Sequence, residues 1–351
     1  MLFNLLKKNL LMFYSGIVPY CLSYILLILV STFSAIYGTF LSYGMVIMFF
    51  FSGYILDNVS INKQKKFLLI NYILSLVFGI IYFASYKGIL LLCNTSIKVL
   101  FFLIGATLPT GTNHFLQIVK LYYMDLFSFI FNFFTGILWI LIGLMIFFKS
   151  FLINCSNIFF LIYLILMLGL IYFISITNEI NDKKPLSIID NYKLIIKDKN
   201  YWLVTIFFIL VLHIQFYFLF SMDFNVYYNL FGGVIGCFLY YYILPKITMK
   251  EGLKWSLIVT IWMLLLPNPY SSILSGLVAS SSFLSYIYVV DKYYYNMCKI
   301  FATWNILNFL SKTLIIFIFA KNISSPILIK VYVFLLIVYS LIIDFCYKEN
   351  S

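Results

Sequence analysis

Apolar runs of about twenty residues follow one another along the chain, separated by short breaks that carry charge, Gly, Pro or Asn. A helical membrane span needs ~20 predominantly apolar residues. On that measure the first half holds spans near 9–32, 36–56, 67–92, 97–118, 126–148 and 154–176. The second half holds spans near 201–222, 226–245, 252–266, 271–290, 299–320 and 325–346. The third run is long, and the stretch from Lys87 to Ser96 at its end reads equally as helix or loop. The ninth is short and is stopped by Pro267-Asn268-Pro269. The first run follows Lys7 and Lys8 and lacks a small-residue cleavage site, so it is expected to stay as a signal-anchor span.

Composition turns this pattern into a class. Of the 351 residues, 64% are hydrophobic and 10% charged, and the mean hydropathy is +1.06. Soluble domains carry about 25% charged residues, so a water-soluble globular protein is excluded. The fold expected is an all-α polytopic membrane protein of about twelve transmembrane helices in two pseudo-symmetric six-helix bundles.

Charge adds orientation. All 23 basic residues are Lys, and 11 acids leave a net charge of +12. The lysines lie in short loops between apolar runs, which excludes a nucleic-acid surface. With the N-terminus inside, 17 lysines fall in inner segments and 5 in outer ones, while Lys312 lies within a span. Cytoplasmic loops are the ones enriched in lysine, so both termini are expected in the cytoplasm, of a plasma (inner) membrane or an organelle membrane. Cys21, Cys93, Cys155, Cys237, Cys298 and Cys346 are scattered singly with no CxxC pair, so they are read as small hydrophobes, and neither metal nor cofactor is expected.

The only long polar interval, from Thr177 to Asn200, divides the chain into residues 1–176, a cytoplasmic linker 177–200 and residues 201–351. Its second part, Asn191 to Asn200, has apolar residues spaced for a short amphipathic helix at the inner surface. The halves echo one another. Lys120-Leu-Tyr-Tyr after span 4 matches Lys292-Tyr-Tyr-Tyr after span 10 at an offset of 172 residues. Tyr54-Ile-Leu-Asp57 closing span 2 matches Tyr242-Ile-Leu-Pro245 closing span 8 at an offset of 188. A duplicated six-helix unit with a shorter third-to-fourth region in its second copy accounts for both.

Span 2 ends in Gly53-Tyr-Ile-Leu-Asp57, followed by Lys63-Gln-Lys65-Lys66. This resembles the loop 2–3 signature of the major facilitator superfamily: a Gly, three residues, an Asp, then a basic cluster. The resemblance covers the whole chain in architecture and these few residues in motif. Asn58 stands where the family usually has Arg, and Lys98 stands where span 4 would begin with an Arg signature. Span 5 lacks the Gly-Pro signature that resembles an antiporter's. The resemblance implies secondary transport by alternating access. It also implies an inner gate at Asp57, with Gly53, Lys65 and Lys66 beside it and the start of span 11, near Lys299, as its counterpart, and a cavity lined by spans 1, 4, 7 and 10.

Interrupted helices mark the binding site in repeat-built transporters. Span 4 contains Gly105-Ala-Thr-Leu-Pro109-Thr110-Gly111-Thr-Asn113-His114, and span 10 contains Ser275-Gly276-Leu-Val-Ala-Ser280-Ser-Ser282. Thr110, Asn113 and His114 are candidate substrate contacts, with small-residue helix packing as the competing reading. His213 and Gln215 in span 7 are costly within a bilayer without partners, and His213 is read equally as a ligand contact and as a structural hydrogen bond. Lys312 lies about 12 Å from the outer end of span 11 at 1.5 Å per residue. If it faces the cavity, an organic anion is the favoured solute. Gly232, Gly233 and Gly236 in span 8 are expected to permit close packing against span 5.

The leading expectation is a monomeric transporter or facilitator of a small solute in the lipid bilayer, with no catalytic residues. The alternatives are a multi-span enzyme such as a lipid-linked transferase, for which Asp223 is the only acid expected outside, and a non-transporting relative of the transporter family.

Overall fold

The computed structural model describes residues 35–58, 61–107, 140, 156–176, 195–221, 225–243, 246–293, 296–320 and 325–348. These hold α1 (Ala35–Asn58), α2 (Ile61–Tyr86), α3 (Asn94–Thr107), α4 (Ser156–Ile176) and α5 (Lys199–Ser221). They continue with α6 (Val226–Ile243), α7 (Met249–Leu265), α8 (Tyr270–Lys292), α9 (Met297–Ala320) and α10 (Ser325–Cys346). There is no strand among the described residues. The ten helices fall on ten of the twelve apolar runs; those at 9–32 and, but for residue 140, 126–148 lie outside the described residues. Four helices contain stretches long and apolar enough to cross a membrane, namely Lys66–Tyr86, Lys199–Phe218, Tyr270–Val289 and Pro326–Cys346. The chain is an integral membrane protein.

Local chemistry sets the helix ends. The ambiguous end of the third run is settled by Gly88, whose φ of 73° only glycine adopts without strain. Around it the Ile89 amide donates to the Ala84 carbonyl and the Gly88 amide to the Ser85 carbonyl, closing α2 in a Schellman turn. The helix ends at Tyr86, short of 92, and at its other end begins at Ile61, so Lys63, Lys65 and Lys66 ride on its first two turns instead of in a loop. α7 opens with a capping box: the Glu251 amide donates to Thr248 Oγ1 and the Thr248 amide to Glu251 Oε2. Asn225 caps α6, its Oδ1 accepting from the amides of Tyr227 and Tyr228. Of the expected amphipathic helix at 191–200, residues 195–200 are described; they form one turn that breaks at Asp198 before α5 begins.

The chain divides into two compact units. The described helices of the first are α1 to α4; those of the second are α5 to α8 and α10, and α9 divides between them, Cys298–Ala302 grouping with the first. In the first unit α1 packs on α3, and α2 on both α3 and α4. Leu41, Leu68, Tyr72, Phe101, Ile104 and Met167 form its buried centre, and Tyr163 of α4 shares a 2.8 Å hydrogen bond with Ser75 of α2. In the second unit α8 is central, packed on α5, α6 and α7. Trp304, with no exposed surface, stacks on Phe208 and donates to Thr205 Oγ1 at 2.9 Å. Only 22% of Pro326–Cys346 is buried in the protein, against 61% of Lys199–Phe218 and 65% of Tyr270–Val289, so α10 lies at the outside of the unit while α5 and α8 are its more buried helices.

Both units are closed by the same helix crossing. A Cβ built on Gly44 would stand 2.0 Å from the Phe102 carbonyl oxygen, and one on Gly105 2.1 Å from that of Leu41. In the second unit a Cβ on Gly232 would stand 1.9 Å from the Ile273 carbonyl oxygen, and one on Gly276 2.0 Å from that of Asn229. Gly44 with Gly232, and Leu41 with Asn229, are each separated by 188 residues, the offset of the Tyr-Ile-Leu match. Gly105 with Gly276, and Phe102 with Ile273, are each separated by 171, one from the offset of the Lys-Tyr-Tyr match. The crossing is therefore repeated residue for residue. Gly232 and Gly236 of span 8 meet α8, where Gly276 offers an equally bare backbone; span 5, their expected partner, lies outside the described residues but for residue 140.

Because the obstructing atoms are backbone, no rotamer change relieves an added methyl group. Gly105→Ala and Gly276→Ala are each expected to destabilise the folded protein in detergent by about 1–3 kcal/mol or more. Thermal unfolding of the purified variants checks this, and wild-type stability in both would show that the helices do not approach so closely.

Candidate solute-binding wall and inner anchor

Within the second unit the polar groups gather at the two ends of the helices. At the end where α5 finishes and α6 and α8 begin, the Asn225 amide donates to Ser272 Oγ at 3.1 Å, and Ser272 Oγ donates to Asn268 Oδ1 at 3.0 Å. One turn deeper, Gln215 Nε2 of α5 donates to the Ser275 carbonyl of α8 at 3.2 Å. Ser275 Oγ and Asn229 Nδ2 are buried, and neither has a hydrogen-bond partner among the described residues. A buried polar atom left unpaired costs about 1–3 kcal/mol, so these two atoms, beside the hydrogen-bonded Gln215, are candidate polar contacts at this end of the unit. The groups are neutral amides and hydroxyls.

His213 is on α5 two residues before Gln215 and turns elsewhere: its Nε2 lies 3.0 Å from Tyr332 Oη of α10, and the two rings meet edge to face. Gln215 and His213 thus both have protein partners, Gln215 on α8 and His213 on α10. Thr110, Asn113 and His114 lie outside the described residues, and the described part of α3 ends at Thr107, whose hydroxyl donates back to the Ile104 carbonyl. Lys312 is on the continuous helix α9, with its side chain outside what the structure describes. Gly53 and Asp57 occupy the last two turns of α1, and their side chains and that of Lys65 are likewise outside it. Lys66 is exposed, and Lys299 is half-buried on the first turn of α9. Among the described residues no three His, Cys, Asp or Glu side chains gather as a metal site.

The opposite end is held by Asp198. Its carboxylate lies 2.7 Å from Lys292 Nζ and accepts hydrogen bonds from Tyr293 Oη, from Tyr288 Oη at 3.2 Å and from the Asn200 amide at 2.9 Å. Asn200 in turn grips the end of the described chain, its Nδ2 donating to the Lys348 carbonyl at 2.5 Å and its Oδ1 accepting from the Lys348 amide at 3.2 Å. The last turn of the linker is thereby tied to α8 and to the C-terminal end of α10. Partial burial works against ionisation of Asp198, but the bonds from Lys292, Tyr293 and the Asn200 amide, with the Lys292 charge, outweigh it and hold the carboxyl below its ordinary value. The Tyr293 hydroxyl is pushed up, by burial and by that carboxylate. Sequence reading missed Asp198 and Asn229 as interacting groups, whereas Ser275 stood in the span 10 stretch it singled out. Lys292-Tyr-Tyr-Tyr was visible as a repeat, but its partner lies 94 residues upstream.

These helices compose the fold of the major facilitator superfamily transporters, a class of integral membrane proteins. The structure is similar to the crystal structure of a major facilitator superfamily transporter, FucP, in the outward conformation, with a TM-score of 0.70 over 98% of each chain and 10% sequence identity. At that identity the likeness speaks for the fold alone. No protein-family model and no curated protein matches the sequence.

A depressed carboxyl stabilises the fold at pH values above its unfolded value, about 4, and that stability is lost as pH falls through the lower folded value. The second unit should therefore hold its Asp198 anchor at neutral pH and release it only under acid conditions below about pH 4. At neutral pH a double-mutant cycle of Asp198→Asn and Lys292→Gln should give a coupling on the order of 1 kcal/mol, the pair being partly exposed. Additive effects of the two changes would dissolve the anchor.

Proposed function

We propose that the chain is a secondary transporter of a small solute working by alternating access, acting as a monomer with residues 1–176 and 201–351 as its moving halves and residues 177–200 as the cytoplasmic link. The observation that carries the reading is the major facilitator fold, present over 98% of the chain and supported by the helix crossing repeated at Gly105 and Gly276. That architecture favours a transporter over a lipid-linked transferase. In this reading Gln215, Ser275 and Asn229 supply hydrogen bonds to the solute, joined by Thr110, Asn113 and His114, while His213 takes the structural role through Tyr332. Lys312 supplies the one positive charge within a span, for which no described acid sits at mid-depth, so the solute carries an acidic group. Asp57 is the inner gate, with Gly53 giving it room and Lys65, Lys66 and Lys299 as its charged surroundings.

The 17-to-5 distribution of lysines supports a cytoplasmic location for both termini and the linker. Labelling of single cysteines at residues 5, 185 and 350 from either side of intact membranes reads this directly. Labelling of any of the three from the outside would invert or break the topology.

In liposomes the Lys312→Gln variant is expected to need a higher concentration of an acidic solute for half-maximal uptake and to carry a neutral one unchanged. Asp57→Asn should slow transport, or bias the protein towards one open state, with little loss of folded protein. Uptake measured across sugars, amino acids, nucleosides and organic anions identifies the solute first. Wild-type behaviour of Lys312→Gln towards every transported acid would remove Lys312 from the site, and wild-type rate and accessibility in Asp57→Asn would remove the gate.

A further inference from the structure

The α7–α10 corner of the second unit carries a charge arrangement that neither the solute wall nor the Asp198 anchor uses. Lys250 and Lys254, one turn apart on α7, converge on a single residue of α10: Lys254 Nζ lies 2.8 Å from the Asp344 carboxylate, and Lys250 Nζ lies 3.7 Å from the same carboxylate while donating to the Asp344 carbonyl at 2.8 Å. Two ammonium groups thus share one carboxylate. Lys246, just before α7, stands over the ring of Tyr242 and is exposed, and the nearby Glu251 is engaged with the Thr248 amide in the capping box. Three lysines face two carboxylates, which leaves a local excess of one positive charge.

The position of this excess gives its meaning. The side chains of Lys250, Lys254 and Asp344 are each about one-third exposed, at the end of the unit where Lys348 of the chain terminus and Asn200 meet. The residues beside them are large, apolar and outward-facing: Trp255 is 61% exposed and Phe345 84%, and Trp255, Ile258 and Trp262 continue as one exposed stripe along α7. A cationic surface at the helix ends where α7 packs on α10, bordered by exposed aromatics, has the chemistry of an anionic headgroup above and acyl chain below. A soluble anion would find the charge but would leave the apolar stripe uncovered.

We propose that Lys250 and Lys254 form a binding site for the phosphate of an anionic phospholipid, seated between α7 and α10 with its acyl chains along the Trp255 stripe. Asp344 is the internal competitor that keeps the two lysines together when the lipid is absent. This role is independent of the transported solute. It makes opposite demands on the two sides of the ion pair, which a merely structural salt bridge does not: loss of a lysine weakens lipid binding, while loss of the carboxylate strengthens it.

The test uses the full chain, purified in a neutral detergent and titrated with phosphatidylglycerol, with phosphatidylcholine, and with inorganic phosphate or glycerol phosphate. Retained lipid is counted by native mass spectrometry and thermal unfolding is followed in parallel. Phosphatidylglycerol is expected to be retained and to raise the unfolding temperature, and phosphatidylcholine and the soluble phosphates to do neither. Lys250→Gln, which leaves the close Lys254–Asp344 pair in place, should weaken phosphatidylglycerol binding about fivefold, the effect of one lysine near an anionic surface. Asp344→Asn should strengthen it. Lys87→Gln, an exposed lysine of the other unit with no part in the gate or the solute site, serves as the control and should change neither. Equal retention of phosphatidylcholine, the full effect from soluble phosphate alone, or unchanged phosphatidylglycerol binding in both Lys250→Gln and Asp344→Asn would each overturn the proposal.

Discussion

Backbone contact between paired helices is the constraint around which each unit is arranged. In a bilayer, lipid tails are as apolar as leucine, so burial of side chains gives little drive for one helix to seek another, and close packing supplies the attraction instead. α1 and α3 meet where Gly44 and Gly105 bare the main chain, and α6 and α8 meet where Gly232 and Gly276 do the same. Once those pairs are fixed, the remaining helices have surfaces to fill: α2 and α4 in the first unit, α5 and α7 in the second. The same closeness leaves polar atoms such as Ser275 Oγ and Asn229 Nδ2 held within the packed interior, where a partner is worth most.

Charge follows the opposite logic. Within the described residues the ion pairs lie at the helix ends, where water and headgroups can screen them: Asp198 with Lys292, and Asp344 with Lys250 and Lys254. Each joins elements distant in sequence, so a handful of carboxylates in a lysine-rich chain determines which helix ends stay together. The Asp198 anchor means that the linker is bound to the second unit from Ile195 onward, since Ile195 is itself buried and Trp202 Nε1 donates to the Ile196 carbonyl.

The helices were legible because a span is a local property: twenty apolar residues in a row have one way to satisfy their backbone in lipid. The runs at 201–222, 271–290 and 325–346 became α5, α8 and α10 within two residues at either end. The repeat was legible too, since Tyr54 to Asp57 and Tyr242 to Pro245 carry the offset that the glycine crossing reproduces. Ends governed by capping were less so. Gly88 stops α2 six residues before the apolar run gives out, because a positive φ outweighs continued hydropathy. The span 8 glycines showed that something would pack closely, but not that α8 would.

The sequence by itself determined that this protein lies in a membrane, that it is built of helices, and that its two halves share a plan, since each of these follows from composition and periodicity along the chain. Only the tertiary structure decided which polar residue meets which: Gln215 the Ser275 carbonyl, His213 the Tyr332 hydroxyl, Asp198 the Lys292 ammonium. The physical reason is that a helix shows the same polar side chain whichever neighbour stands beside it. His213 and Gln215 are two residues apart, about 200° around the helix at 3.6 residues per turn, so one faces α10 and the other α8. The choice of partner for each was made by helix packing.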